Sequence, residues 1–157
     1  MTVIQVSDNR DPVKIKKIFT DEFNARVDKM VERSLELPTT HTFNAPHLNL
    51  SESTECFIHG YFDASIALSR TTLEQALKHK LNIQKDEIVG LGCLIKLVTA
   101  QGLLGVNLRT EAINVQKVGN SYIHDTKKKD TEHEKQKKRA KEVLLSVKRI
   151  VEKLYPD

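Results

Sequence analysis

The strongest constraint on the fold is a long apolar stripe at helical spacing between residues 52 and 81. Its members are Ile58, Phe62, Ile66, Leu73, Leu77 and Leu81. Residues at that spacing lie on one face of an α-helix. Phe57, Tyr61 and Leu68 widen the apolar surface beyond one face, which is typical of a helix at the centre of a bundle. The pattern therefore predicts one central helix from about Glu52 to Leu81.

The N-terminal part of the chain is predicted to contain one helix and an extended connection. Asp11-Pro12 is a helix-start signal, because Asp caps the first turn and proline fits within it. Apolar positions at helical spacing continue to about Ser34. Residues 37–50 contain prolines and several Thr and Asn residues without a helical period. We therefore expect an extended connection there.

Three further helices are expected to complete the chain. Asp86 is expected to cap a helix that ends near Gly102 or Gly105, and Asn107 to open another that ends close to Gly119. The last helix is expected to begin within a charged stretch and to run almost to the C-terminus. Aromatic residues are only 5% of the chain and Trp is absent, which favours helices over a β-sandwich or barrel. The predicted fold class is all-α, a bundle of about five helices.

Composition and cysteine spacing exclude several classes of protein. A charged fraction of 29% beside 39% hydrophobic residues is unlike a disordered chain. No apolar run approaches the roughly 20 residues that span a bilayer, and Met1–Asn9 is too short and too polar for a signal peptide. Cys56 and Cys93 lie far apart without C-x-x-C spacing. We expect a cytoplasmic protein without membrane contact, metal or cofactor.

The excess positive charge comes from one segment. The net charge is +4, and residues 127–141 (KKKDTEHEKQKKRAK) hold eight Lys or Arg against three Asp or Glu. A basic stretch of this kind can contact phosphates of a nucleic acid. The candidate contacts are Lys127, Lys128, Lys129, Lys137, Lys138 and Arg139. The alternative is a solvated loop that leads into an exposed helix face.

Motifs of the common enzyme classes are absent from the sequence. It contains no Walker A loop, G-x-G-x-x-G, H-E-x-x-H or G-x-S-x-G. Five of the six histidines are interpreted as surface or structural residues: His41, His47, His59, His79 and His133. No two histidines have helix-compatible ligand spacing beside an acid, so no metal site is expected.

The remaining histidine, His124, closes the segment GNSYIH at residues 119–124. On a helix, Asn120 and His124 share a face because they are four residues apart, and Lys117 adds a cation nearby. Imidazole exchanges protons near neutral pH, and an amide with a cation can hold a phosphate beside it. These three residues form the candidate catalytic site. The alternative is that Gly119-Asn120 caps a helix C-terminus and His124 bonds that turn.

The segment ALSRTTLE at residues 67–74, followed about 45 residues later by Gly-Asn and then His, resembles the HEPN superfamily, the higher eukaryotes and prokaryotes nucleotide-binding domains. The matching branch is prokaryotic, carries an R-x-x-L-E-like helix and a G-N-x-x-x-H element, and occurs alone or in restriction and defence proteins. The resemblance covers about residues 52–155. It implies a HEPN-like domain over residues 51–157, preceded by the N-terminal helix and connection at residues 1–50.

The resemblance also implies a chemistry. Active HEPN proteins are metal-independent ribonucleases whose motif is Arg, four to six residues and then His, and they usually act as homodimers. By this likeness His124 would be the acid/base, Asn120 would orient the phosphate or the histidine, and Lys117 would stabilise charge. We expect dimerisation through the helices that carry residues 70–81 and 113–124.

The sequence departs from that motif where the arginine is expected, because Gln116 and Lys117 occupy the region. Lysine supplies charge without the bidentate fork of a guanidinium. Arg70 and Glu74 are interpreted as an ion pair in a structural or supporting role, as is Gly119.

Several functions remain open, and with them the question whether the protein is an enzyme. The first is a non-catalytic HEPN-like module that binds nucleic acid or a protein partner in a prokaryotic defence or stress system. The second is a metal-independent ribonuclease or toxin that uses His124. The third is an unrelated helical bundle in which the motif is a coincidence.

Overall fold

The computed structural model describes residues 12–37, 50–124 and 133–156, with the backbone alone at residues 122–124. Every regular element in these ranges is an α-helix. The helices are α1 (Pro12–Leu35), α2 (Leu50–His59), α3 (Phe62–Lys80), α4 (Leu91–Ala100), α5 (Val106–His124) and α6 (His133–Leu154). The predicted all-α class is confirmed, with six helices described instead of about five.

The chain divides into two compact units, Met1–Pro38 and Thr39–Asp157. The first unit contains α1, whose bounds agree closely with the predicted helix and which has no buried residue. The second unit contains α2 to α6 and the hydrophobic core. None of the helices in the described ranges combines the length and the apolarity that a membrane crossing requires.

The central helix of the second unit is α3, against which α2, α4, α5 and α6 all pack. Its buried apolar residues are Phe62, Ile66, Leu73, Ala76 and Leu77. The facing helices supply the rest of the core, including Phe57, Leu94, Ile95, Val98, Val115, Val147 and Ile150. Helices of the same chain therefore cover these residues of α3, and dimerisation through residues 70–81 and 113–124 stays a prediction.

The prediction of one helix from Glu52 to Leu81 is wrong, because the chain breaks between α2 and α3. Gly60 adopts a φ of +84°, a left-handed conformation that glycine reaches without a Cβ penalty. The turn folds α2 back against α3, and the Phe57 and Phe62 rings meet at 5.5 Å on either side of it. Both helices bury apolar residues, so the apolar spacing continues through the break and does not reveal it.

Three buried serines join α2 to α3. The Ser53 hydroxyl donates to the Ser65 carbonyl, and the Ser65 hydroxyl donates to the Ser53 carbonyl, both at 2.9 Å. The Ser69 and Ser53 hydroxyl oxygens are 2.5 Å apart. Because the single Ser53 proton is used on Ser65, Ser69 is the donor in this pair. Buried hydroxyls that satisfy one another let the two backbones approach closely.

Two other predicted helix bounds are wrong. The fourth helix begins at Leu91 and not at Asp86, because Asp86 lies inside a turn in which the Glu87 N–H donates to the Gln84 carbonyl at 3.1 Å. The buried Lys78 ammonium holds this segment by donating to the Glu87 carbonyl at 2.8 Å. The fifth helix does not stop close to Gly119, because α5 continues through that residue to His124.

The last helix is confirmed where the apolar spacing predicted it. Along α6 the residues Val143, Val147, Ile150, Val151 and Leu154 are buried. Beyond its end, the Tyr155 hydroxyl donates to the Ala76 carbonyl at 3.0 Å and lies 2.8 Å from His79 Nδ1. Since the hydroxyl has one proton, His79 Nδ1 carries the proton of the second bond. Burial raises the pKa of the Tyr155 hydroxyl.

Candidate functional site

A hydrogen bond between two side chains connects α3 to α5 at the centre of the candidate site. Arg70 Nε donates to Asn120 Oδ1 at 3.0 Å. The Arg70 side chain is 20% exposed, so its guanidinium lies at the edge of the bundle and not in the core. Asn120 was predicted as a site residue, whereas Arg70 was interpreted as a structural or supporting residue. The structure brings the two together.

Gly119 makes room for the arginine. A Cβ at this position would lie 2.5 Å from Arg70 Cδ and 3.0 Å from Arg70 Cβ, so only glycine lets the arginine stem lie against α5. Glycine within a helix costs about 1 kcal/mol relative to alanine. The close approach of the Arg70 side chain explains why glycine is nevertheless present at this position. The alternative that Gly119-Asn120 forms a helix C-cap is wrong, since α5 is continuous through both residues.

Two further charged residues of α3 follow Arg70 at helical spacing. Arg70 Nη1 lies 3.4 Å from Glu74 Oε2, which confirms the predicted ion pair. The other carboxylate oxygen of Glu74 lies 3.4 Å from Lys78 Nζ. One carboxylate is therefore shared between two cations, and these three residues carry a net positive charge.

The predicted site residues of α5 lie along the same helix. Lys117 is exposed and Asn120 is half-buried. The helical backbone continues to His124, so Asn120 and His124 share a face of α5 as predicted. The His124 side chain lies outside the described part of the chain. Near the Arg70–Asn120 contact, α5 therefore carries an exposed cation, Lys117, and one turn further along the helix the backbone position of His124.

The basic segment is described only in part. Lys127, Lys128 and Lys129 lie outside the described residues. In the first half of α6, Lys138 and Arg139 are exposed and Lys137 is half-buried. The segment therefore presents at least two cations to solvent from a helix.

Three of the other histidines are held by structural contacts, and His41 and His47 lie outside the described residues. His59 Nε2 lies 3.7 Å from Glu55 Oε2, and His79 bonds to Tyr155. The His133 ring packs 4.9 Å from the Phe62 ring. No group of three His, Cys, Asp or Glu residues that could hold a metal ion occurs within the described ranges.

The sequence indicated the Glu74 partner of Arg70 but not the Asn120 partner. The spacing predicts only the pair at positions i and i+4 on α3, because the contact with Asn120 depends on how α3 and α5 pack. One available signal was Gly119 itself, since a glycine inside a helix often marks the close approach of another group.

The fold and the site together define an all-α bundle in which an arginine from the central helix is held against an asparagine of a neighbouring helix. Residues 51–156, more than half of the chain, match the family described as a domain of unknown function, DUF4145, and the chain belongs to this family. Neither a curated protein nor a solved structure matches the chain.

Proposed function

We propose that residues 51–156 form a HEPN-like domain that binds RNA through its phosphates at the contact between α3 and α5. The observation that carries the proposal is the hydrogen bond from Arg70 Nε to Asn120 Oδ1 at 3.0 Å, with the arginine stem held over Gly119. In this arrangement a guanidinium is fixed in position and stays accessible to solvent. By the resemblance to HEPN proteins, the setting is prokaryotic defence or stress.

The Arg70 guanidinium has more N–H donors than its contacts with described residues use. Arginine has five N–H donors, and the bonds to Asn120 and Glu74 use one on Nε and one on Nη1. A planar guanidinium is well suited to the oxygens of a phosphate. The asparagine is uncharged, so it orients Arg70 without neutralising it. The exposed Lys117 supplies a second positive charge on the neighbouring helix.

The basic segment at residues 127–141 strengthens the proposal electrostatically. It connects α5 to α6 in the sequence and holds all the excess positive charge of the chain. Cations in such a segment attract the phosphate backbone without reading the base sequence. We therefore expect binding that depends steeply on salt and weakly on nucleotide sequence.

A titration of the full chain with a labelled single-stranded RNA tests the proposal. Affinity is expected to fall about tenfold or more between about 50 and 200 mM salt, since each neutralised phosphate releases counterions. Reversal of Lys127, Lys128 and Lys129 to Glu should weaken binding, and the melting temperature is measured alongside so that a loss of binding can be separated from a loss of folding. Absence of RNA binding at low salt would contradict the proposal.

Metal-independent cleavage of RNA is the second candidate function, and the position of Arg70 favours it. The arginine that the HEPN motif places on the histidine-bearing helix is missing, and Arg70 brings a guanidinium from α3 to Asn120, one turn before His124. In such a reaction His124 would take the proton of the ribose 2′-hydroxyl, whose oxygen attacks the phosphorus. The 5′-oxygen would leave and take a proton from water, and Arg70 would stabilise the charge on the phosphate.

Incubation with mixed RNA in the presence of a chelator tests this second function. The expected products carry 2′,3′-cyclic phosphate ends, and His124→Ala should abolish them while preserving the fold. His59→Ala is the matched control, because His59 is paired with Glu55 and should not affect cleavage. If Lys117 also supports the charged phosphate, Lys117→Arg should raise activity by restoring the fork. Binding of RNA without cleavage would contradict the second function and support only the first, RNA binding.

A further inference from the structure

The helix α1 carries an unusual ridge of apolar side chains. Every fourth residue along it is apolar: Ile15, Phe19, Phe23, Val27, Val31 and Leu35. Residues at i and i+4 are neighbours on a helix surface, so these six side chains form a continuous row. The neighbouring row contains Ile18, Glu22, Arg26 and Met30. The ridge therefore has a pair of opposite charges beside its middle.

The ridge lies on the surface. The Phe23 side chain is 65% exposed, and Phe19, Val27, Val31 and Leu35 are exposed as well. No residue of α1 is buried. Contiguous exposed apolar side chains mark an interaction surface, and amphipathic helices draw most of their stability from packing of the apolar face. A partner for this face is therefore expected.

The spacing of the ridge indicates what kind of surface fits it. Two helices pack at a crossing angle of about −50° when the i, i+4 ridge of one enters the matching groove of the other. A second copy of α1 offers an identical ridge. Successive members of such a row advance by about 40° around the axis, so the contact is confined to the middle turns, near Phe23.

The charges beside the ridge select the direction of the pair. In an antiparallel crossing centred near Phe23, Glu22 of each helix faces Arg26 of the other, and the two pairs lie on either side of the twofold axis. In a parallel crossing the twofold axis runs along the helices, so the row of Glu22 and Arg26 would face the other flank of the ridge, which runs from Lys16 to Asp28, and the Glu22–Arg26 pairing would be lost. Charge pairing of this kind sets orientation and excludes the wrong arrangement. The antiparallel arrangement also opposes the two helix dipoles favourably.

We propose that α1 is a self-association helix that binds α1 of a second copy of this chain in an antiparallel crossing, with Phe23 at its centre. The mixed charge on the opposite face favours a protein surface over a lipid surface. Asp21, Asp28 and Glu32 lie there, whereas helices that lie on membranes carry mainly Lys and Arg on the polar face. This dimer contact does not use the α3–α5 site and stands without the proposed RNA binding.

Sedimentation equilibrium of the full chain over a wide concentration range tests the pairing. The parent is expected to dimerise, and Phe23→Asp should weaken dimerisation at least tenfold because it places a charge in the middle of the ridge. Asp21→Arg is the matched control on the opposite face and should leave dimerisation unchanged. A parent chain that stays monomeric at the highest concentrations would overturn the proposal, as would dimerisation that Phe23→Asp does not affect.

Two charge variants test whether the two helices are antiparallel. They also separate repulsion between the two helices from repulsion between positions 22 and 26 of one helix. Glu22→Arg and Arg26→Glu should each dimerise poorly alone, because both pair like charges across the twofold axis. An equimolar mixture of the two variants should form a mixed dimer, although each helix keeps its own like-charge pair. Failure of the mixture to associate better than either variant alone would overturn the antiparallel arrangement. A lower melting temperature of dilute, monomeric Phe23→Asp would show that the ridge packs against its own chain, which would also overturn the proposal.

Discussion

Two arginines reach α5 from neighbouring helices, and their surroundings differ. Arg149 of α6 holds both oxygens of Glu111, with Nη2 and Nε at 2.8 and 3.0 Å from Oε2, and is 50% exposed. Arg70 of α3 is 20% exposed and bonds to the neutral amide of Asn120. Within the described part of the chain, the carboxylate that pairs with Arg70 is Glu74, which is shared with Lys78.

The difference shows how packing gives the same residue type two roles. The positive charge of Arg149 is matched by the Glu111 carboxylate, which pairs with no other cation among the described residues. This pair therefore connects α5 to α6 and offers little to an anion. Arg70 is oriented by an amide and keeps most of its charge. An exposed pair such as Arg149–Glu111 contributes about 1 kcal/mol or less to stability. Only the second arginine is therefore suited to bind a phosphate.

Replacement of each arginine by alanine should produce the largest contrast. We expect Arg70→Ala to weaken RNA binding by about 10- to 100-fold, which corresponds to the 1.5–3 kcal/mol of a charged hydrogen bond. Arg149→Ala should leave the affinity within about twofold, since its charge is already paired. RNA titration at fixed salt measures both. Equal losses in the two variants would show that only the net charge matters and that the comparison is wrong.

Substitution of two helix glycines sharpens the comparison further. Gly119→Ala should push the Arg70 stem away from α5 and weaken RNA binding about tenfold. Overpacking of about 1–3 kcal/mol equals or exceeds the gain of about 1 kcal/mol in helix propensity, so the free energy of unfolding should stay the same or fall. Gly92→Ala is the matched control. Its Cβ would lie 2.8 Å from the end of the Gln116 side chain, which can rotate away. RNA binding and urea unfolding of both variants are the measurements, and equal effects on binding would contradict the role of Gly119.

A carboxylate at position 120 should make Arg70 resemble Arg149. Asn120→Asp replaces a neutral acceptor by a charged one, and hydrogen bonds between charged groups are roughly twice as strong as neutral ones. We expect the free energy of unfolding to stay the same or rise while RNA affinity falls about fivefold, since the charge of Arg70 is now neutralised. Chemical denaturation and RNA titration separate the two effects. An increase in affinity would mean that the guanidinium charge is not used for RNA.

The smallest effect on RNA binding is expected at Tyr155, because neither it nor its partners belong to the candidate site. Tyr155→Phe removes the bonds to Ala76 and His79 and should lower the free energy of unfolding by about 1 kcal/mol without changing RNA binding. Burial raises the pKa of Tyr155 above its usual value of 10.0, so the neutral hydroxyl is favoured in the folded state.

This stabilising contribution is complete below the unfolded pKa and is lost as the pH rises through the folded pKa. The parent should therefore lose stability above about pH 10, and Tyr155→Phe should lose less over the same range. Urea unfolding at neutral and alkaline pH checks this. An equal alkaline loss in parent and variant would exclude Tyr155 as its cause.

Local patterns located the helical regions, but they gave bounds that agree with the structure for only two of the five predicted helices. The apolar spacing of α6 and the start signal at Pro12 gave bounds that agree with the structure, because a single-face period and a capping residue act within one helix. The break at Gly60 escaped the same reasoning, since α2 and α3 bury apolar residues on both sides of it. The end of α5 was misplaced because Gly119 was interpreted as a local stop signal.

The sequence alone determined the helical class, the apolar stripes and the four-residue spacing that puts Asn120 and His124 on one face once the helix continues through them. These features depend on residues within a few helical turns of one another, so the spacing of residues in the sequence is enough to predict them. The tertiary structure decided which arginine joins Asn120, why Gly119 lies inside a helix and which carboxylate is shared between cations. These depend on the packing of α3 against α5, which brings together residues from distant parts of the chain that no local pattern connects.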